Sequence, residues 1–568
     1  MNANNLLPDY DICILGSGPA GIIVALEYAR LNPQKSVLLV EYGSPQQSGE
    51  NNLDKSIHVK NQQNHHIPSE CTNKGLGGTS ATWGGRCVMY DDIDFIDRPI
   101  LNGNCTWDET IFEEVKVHVP VAAKYFECGK PEFTFPGSSN LNHKPIADGF
   151  KQGIVTDAVL ERYSMPTRFG KRYSADIEAQ KNLTVLQGFE ARDFAEPDEN
   201  NNISFLIIRE VETQKLKKII AGRFILAAGA QESTRILLRN SQLFKQLGAP
   251  PFALGKYYQG HISGKIASVR FSGDPKKTDY SFSRDTDGSY TRRRFQFDTA
   301  FLKENNLLNT AIWLDNPLYF DPKHKSGAMS FMYMAMITPV LGKKLAPPAI
   351  AHSITKGKVN KVPAHLGNIV RGLPNSLLKP ASIFYKRYCL KRKLPGIFLY
   401  SPQNTYALHF HAEQIPFAGN YMKLGSDGES LIINYSPTDA DVDSVIKLHE
   451  ALDKWLKDCN CGELSYWFSK EDLPGAIKKM SKDGLHQSGT TRIADSPDMG
   501  VVDKNLKVWG TNNIYVCSSS VFPTSGQANP TFILGAFAAR LAQHLTSLPT
   551  NLNIPKKENF KISFDSIL

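Results

Sequence analysis

The first chemistry legible in this chain is a cradle for a nucleotide. Gly16, Gly18 and Gly21 form a Gly-x-Gly-x-x-Gly turn between a short apolar run, residues 11–15, and a helix-forming stretch, residues 22–31, that Asn32-Pro33 stops. Gly16 permits the tight turn, Gly18 lets a pyrophosphate approach the backbone, and Gly21 lets the helix pack close to the strand. The phosphates then meet the free N–H groups and positive dipole end of the helix. A second strand, residues 36–40, ends at Glu41, about twenty residues beyond the last glycine, where a ribose hydroxyl needs an acceptor. FAD and NAD share that ADP half, so the fingerprint alone does not separate them.

A second glycine-dense segment, Gly75-Leu-Gly77-Gly78-Thr79-Ser80-Ala-Thr82-Trp83-Gly84-Gly85, suits backbone amides set against a ligand and is ill suited to a core element. Residues 223–229, ending in Ala228 and Gly229, read as a buried strand leaving a close-packed glycine, followed by a helix over 231–238. Near the C-terminus stand His486-Gln-Ser-Gly489-Thr-Thr-Arg492 and, further on, Cys517-Ser518-Ser519-Ser520-Val-Phe-Pro523-Thr-Ser-Gly526-Gln-Ala-Asn529-Pro530-Thr531.

In this order, the four segments closely resemble the glucose-methanol-choline (GMC) family of flavoprotein oxidoreductases. The resemblance covers the nucleotide-binding segments at both ends and is weak in the middle of the chain. It implies FAD as the cofactor and an alcohol as the small-molecule substrate, with oxygen or another acceptor reoxidising the flavin. It further implies that His486 takes the hydroxyl proton while hydride leaves the carbon, with Asn529 on the other side of the substrate oxygen. The chemistry agrees: hydride leaves an alkoxide far more readily than an alcohol, neutral imidazole accepts a proton at neutral pH, and an amide can hold the oxygen but not take its proton. Pro530 and Thr531 are expected to start a helix whose N-terminus faces the flavin.

Two departures qualify the pattern. Many family members carry Asp where this chain has Ser518. Thr82 stands before Trp83 where flavin-tethering pyranose oxidases have a histidine, which predicts FAD held without a covalent bond. The wording around Ser518–Thr531 looks most like the branch of pyranose oxidases and bacterial sugar dehydrogenases, pointing to a sugar or polyol. The alternatives are a lipophilic-alcohol dehydrogenase at a membrane surface and a non-oxidative flavin enzyme on the same fold. His261 and the group His409, His411 and Glu413 read as satisfied polar residues; alternate strand positions could present the latter to a metal, but none is expected.

These segments need a scaffold of 568 residues that has no Pro-, Gly- or Ser-rich linker. The expected class is α/β, α+β overall: a Rossmann-type FAD-binding domain built from discontinuous segments, 1–100, 180–260 and 483–548, with a substrate domain based on an antiparallel sheet, 101–179 and 261–482, and a C-terminal tail, 549–568. Alternation over 406–411 and 430–434 predicts strands, and Val445, Leu448, Leu452, Trp455 and Leu456 predict a packing helix after Asp441.

Nine cysteines without a Cys-x-x-Cys motif read as reduced thiols, and the N-terminus lacks the pattern of a secretory signal, so a cytoplasmic location is expected. The formal net charge of +9 is uneven: residues 322–412 contain no Asp or Glu. No nucleic-acid-binding module accompanies the excess. A basic insertion near 340–395 is expected to form a lid face or to meet anionic lipid peripherally. The oligomeric state is not encoded in these motifs.

Overall fold

The computed structural model describes residues 8–44, 56–135, 144–248, 251–316, 318–338, 342 and 361–549. Its organising element is a seven-stranded sheet. Val37–Glu41, Tyr10–Leu15, Leu216–Leu226 and Ile514–Val516 run parallel side by side, with Leu183–Gln187 on the outer edge of Val37–Glu41. These short strands are almost wholly buried and rich in Val, Ile and Leu, as a sheet covered on both faces requires. The first half of Leu216–Leu226 turns away to pair antiparallel with Phe205–Glu210, which pairs in turn with Phe189–Phe194.

Helices Pro19–Leu31 and Pro530–Ser547 pack together on this sheet. Gly535 leaves room on Pro530–Ser547 for Phe126 of helix Val119–Phe126, since a Cβ there would lie 2.4 Å from that ring and 3.3 Å from Ile23 of Pro19–Leu31. Each fully buried Ile, Val or Leu in that seam contributes about 1.5–3 kcal/mol. Helices Val119–Phe126 and Phe169–Ala179, expected among the substrate-binding segments, join the same core through Phe126, Phe169 and Tyr173. An apolar helix face dictates that the helix packs, but not against which sheet.

The second layer is a six-stranded antiparallel sheet centred on Ile262–Phe271, Thr405–Ala412 and Thr310–Asp315. Helix Asp439–Asp458 covers it, burying Val445, Leu448, Leu452 and Leu456; a capping box between Thr438 and Asp441 starts that helix. The strand expected over 430–434 spans Leu431–Asn434 and belongs to a separate three-stranded sheet. All nine cysteines are free thiols. The basic insertion near 340–395 holds helices Val362–Arg371 and Asn375–Phe384, which follow helix Gly327–Ile337; its parts over 340–341 and 343–360 and the tail beyond residue 549 lie outside the described residues. Among the described residues, no helix is long and apolar enough to cross a membrane.

Candidate active site

A cleft of ≈ 630 Å³ runs past the carboxyl ends of the parallel strands, lined by Leu15, Val40, Ala227 and Cys517 among others. Ligands of doubly wound sheets occupy this position. Three helices start at its wall, Pro19–Leu31 behind Gly18, Gly229–Arg239 behind Ala228, and Pro530–Ser547 behind Asn529, and none has a side-chain cap. Their unpaired N–H groups and positive dipole ends therefore favour an anionic group in the cleft.

The glycine turn is built for close approach. Gly16 has φ +103°, and a Cβ on Gly21 would lie 1.9 Å from the Gly16 carbonyl oxygen, whereas a Cβ on Gly18 would meet nothing within 4 Å. Gly16 and Gly18 line the cleft; Gly21 lies behind it, in the helix–strand contact. Gly78, Thr79, Ser80, Thr82 and Trp83 form a second wall with Asn73 and Lys74. Gly77 is turned away, donating its N–H to Ser17 O at 2.8 Å and packing on Gly170. Trp83 is fixed by its indole N–H, which donates to Thr167 O at 2.8 Å.

Glu41 lines the cleft, but its carboxylate is already engaged. One oxygen accepts from the Ser17 N–H (3.0 Å) and hydroxyl (2.7 Å), the other from the Gly43 and Gly75 N–H groups (2.9 and 2.8 Å). Glu41 thus clamps the two glycine loops together, and reaching a ribose hydroxyl means releasing the Ser17 hydroxyl.

At the other end stand Ser518, Ser519, Thr531, His486 and Asn529. Ser518 and Ser520 share a hydroxyl bond at 2.7 Å that continues to Thr491 at 2.6 Å, and Ser519 donates to Gln487 O at 2.6 Å. Pro530 is the first residue of its helix and is buried. Asn529 does not cap that helix with its side chain: its Nδ2 lies 2.6 Å from His486 Nε2, and its Oδ1 is buried without a hydrogen-bond partner. For an amide N–H to donate there, Nε2 must be the acceptor, so the imidazole proton sits on Nδ1, on the side of Asp483 Oδ2 at 3.8 Å.

Asp483, which no sequence motif marks, positions this pair. Its carboxylate accepts the backbone N–H groups of His261, Gly484 and Leu485 at 2.6–2.8 Å. Burial alone would push its carboxyl up, but His261, His486 and these amides outweigh burial and hold it well below the usual carboxylate range. Burial lowers His486 to about 4; Asp483 opposes this, and the charges of His261 and Arg86 reinforce it. The His486 ring keeps 20% exposure, so a cofactor filling the cleft would deepen its burial.

Two histidines read as bland polar residues reach this point. His261 stacks on His411, centroids 4.0 Å apart, and both stand edge-on to His486. The three offer ring nitrogens within 4.8 Å of one another, a spacing that could hold a metal ion. Parallel rings, however, aim their in-plane lone pairs side by side rather than at one centre, which suits hydrogen bonding better. His411 Nδ1 lies 2.6 Å from Gln527 O; His261 Nδ1 lies 3.6 Å from Asp483 Oδ2, just beyond hydrogen-bond distance, and His261 Nε2 has no partner. The strand reading of His409, His411 and Glu413 as one face fails at its end: Glu413 follows the last strand residue and forms a buried ion pair with Arg98, whose Nη2 donates to both carboxylate oxygens at 2.8 Å. His409 stacks on Trp313 instead.

Arg86, also unanticipated, lines the cleft with its guanidinium 4.2 Å over the Trp313 ring, paired with Glu161. No sequence signal marks it beyond its place just after Gly85.

Residues 416–538 match a family model described as GMC oxidoreductase. The chain is 30% identical over 133 residues to dehydrogenase str4 of Strobilurus tenacellus, 22% of this chain and 21% of that protein. It is 33% identical over 63 residues to 2-methyl-1,2-propanediol dehydrogenase of Mycolicibacterium austroafricanum, 11% of either chain. The matched segments thus span about a fifth and a ninth of these relatives. The whole fold is similar to that of a fungal aryl-alcohol oxidase, with TM-score 0.51 and 14% identity over 95% of this chain and 99% of that one. An FAD-dependent oxidoreductase from Chaetomium thermophilum is similar too, with TM-score 0.50 and 14% identity over 94% and 98%.

Proposed function

From the premise that the chain carries a GMC oxidoreductase C-terminal domain over residues 416–538, we propose that it is an FAD-dependent oxidoreductase that oxidises an alcohol group. One observation carries this reading: the imidazole acceptor of His486 and the unsatisfied amide of Asn529 face each other at 2.6 Å at one end of a cleft whose other end is a dinucleotide turn. The residues fit FAD, because the uncapped N-terminus of Pro19–Leu31 and the open side of Gly18 stand where a pyrophosphate would lie, while the uncapped N-terminus of Pro530–Ser547 faces the other end of the cleft, where the reduced flavin would gather negative charge. FAD bound there supplies the hydride acceptor.

The protein's own work is proton and charge handling. His486 Nε2 takes the hydroxyl proton, Asn529 Nδ2 then holds the oxygen, and Asp483 keeps the Nδ1 proton directed inward and stabilises the imidazolium that forms. Arg86 adds positive charge near the same end. The protonation state is favourable, since an imidazole lowered to about 4 is neutral across the physiological range.

The substrate reading is a sugar or polyol. His261 Nε2 and Asn529 Oδ1 are buried without hydrogen-bond partners, and such groups favour a ligand with more than one hydroxyl to satisfy them. Thr82, in the loop beside the cleft, offers no nucleophile where a tethering histidine would stand, which supports a cofactor held without a covalent bond; acid precipitation should then release all the flavin. The test of the function is anaerobic titration of the yellow protein with sugars, polyols and aryl or long-chain alcohols. Bleaching of the flavin band by a polyhydroxylated substrate is the expected result. A flavin that no alcohol reduces would overturn alcohol oxidation, and reduction by apolar alcohols alone would overturn the sugar reading.

A further inference from the structure

The acid-free stretch folds, over its described part, around a small apolar cluster of Met329, Met332, Tyr333 and Met336, but the two helices outside that cluster turn apolar side chains outward. Helices Val362–Arg371 and Asn375–Phe384 both pack on Gly327–Ile337. Apart from Pro380, the fully buried side chains of these two outer helices are polar: His365 Nδ1 lies 3.0 Å from Ser330 Oγ, Asn368 donates to Pro322 O at 2.9 Å, and Ser376 donates to Ile369 O at 2.8 Å. What they leave outside is apolar: Leu366 is 50% exposed, Val370 67%, Leu378 61% and Phe384 50%, with Leu373, Leu377 and Tyr385 beside them. Helices facing water bury these types and expose the others.

The charge on this surface has one sign. Arg371, Lys379, Lys386, Lys391 and Lys393 are exposed, and no Asp or Glu lies anywhere between residues 322 and 412. Lys379 and Lys386 are seven residues apart, as are Leu378 and Tyr385, so cation and apolar side chain recur together along the face.

We propose that this face docks on the headgroup region of an anionic lipid bilayer, with the leucines, Val370 and Phe384 entering the acyl boundary and the lysines meeting lipid phosphates. Exposed apolar side chains alone would equally suit a second copy of the chain. A two-fold contact, however, would set five like charges against five with no carboxylate in the segment to relieve them. An anionic bilayer satisfies both features at once. Docking would be transmitted to the body of the protein through rigid bonds: the Asn316 side chain ties Thr310–Asp315 to Ile397 and Leu399, and Arg392 donates to Glu127 O and Tyr163 O. The inference does not rest on the alcohol reading.

Flotation of the full-length, flavin-loaded protein with phosphatidylcholine vesicles, with and without phosphatidylglycerol, tests it. The expected result is flotation with the anionic vesicles only, weakening as salt is raised. Lys379→Glu/Lys386→Glu should lower the bound-to-free ratio at least about ten-fold, and Leu378→Ser/Phe384→Ser should lower it too, both leaving bound flavin and its anaerobic reduction unchanged. Absence of flotation at physiological salt, equal flotation with neutral vesicles, or variants that float like the parent would each overturn the proposal. So would a dimer that both variants dissociate, or capture by poly-glutamate, where no lipid binding is found.

Discussion

Asn529 gives its amide nitrogen to His486 Nε2 at 2.6 Å while its own amide oxygen stays buried without a partner. A bond this direct between acceptor and donor marks the place of the group that would come between them, a hydroxyl able to donate to the imidazole and accept from the amide. Replacing His486 by Ala should therefore lower the rate of anaerobic flavin reduction by about 10²–10⁴-fold, and Asn529→Ala by about 10²–10³-fold. Both variants should keep their flavin, because neither side chain forms the dinucleotide turn. Rapid-mixing reduction kinetics beside flavin content check this, and normal reduction in His486→Ala would remove the base from the mechanism.

The pH profile carries a sign that can be worked out. Burial lowers His486 to about 4, and only the neutral ring accepts a proton, so kcat/KM should be level from neutral to mildly acidic pH and fall below about 4. Asp483 raises that pKa and Arg86 lowers it. Asp483→Asn should move the inflection down and, by leaving the imidazolium unsupported, lower the plateau by about 10²-fold or more. Arg86→Gln should move the inflection up. Shifts in the same direction for both variants would contradict the electrostatic assignment.

The pattern of legible and illegible residues follows from physics. Gly16, Gly18, Gly21 and Glu41 announce themselves because strand, turn and helix are contiguous in sequence, and the strand and helix fall within a residue or a few of the expected bounds. His261 and His411 do not, since register across an antiparallel sheet brings them together: Ile262 pairs with Ala412 and Ser263 with His411, about 150 residues apart in sequence. Asp483 was hidden for a related reason, as its partners are backbone amides, which carry no sequence signature. Glu413 shows the opposite error, a local pattern extended one residue past the end of its strand.

Gly18 and Gly21 should separate binding from folding. A methyl on Gly18 meets nothing within 4 Å in the protein itself, yet it projects where the cofactor must come close. Gly18→Ala should leave the thermal midpoint of the flavin-free protein unchanged and weaken FAD binding about ten-fold, roughly 1.4 kcal/mol. A methyl on Gly21 runs into the Gly16 carbonyl at 1.9 Å, so Gly21→Ala should destabilise the flavin-free protein by about 1–3 kcal/mol. Calorimetry of the apoprotein and FAD titration distinguish the two.

The pair Arg98–Glu413 supplies a test of what the segment after His411 is for. Both side chains are buried, 1% and 0% exposed, with Arg98 also donating to Leu307 O at 3.0 Å and Glu413 accepting the Asn309 N–H at 2.9 Å. Removing the carboxylate leaves a guanidinium in the core without its counter-charge, so Glu413→Ala should cost about 3–5 kcal/mol of stability. Glu413→Gln should cost less, because its amide oxygen can still accept from one guanidinium nitrogen. A metal-ligand role predicts otherwise: both variants would then alter metal content and leave the thermal midpoint of the metal-free protein where it was. Thermal melts with and without a chelator, together with metal analysis, decide between the two, and the buried geometry places the loss in stability.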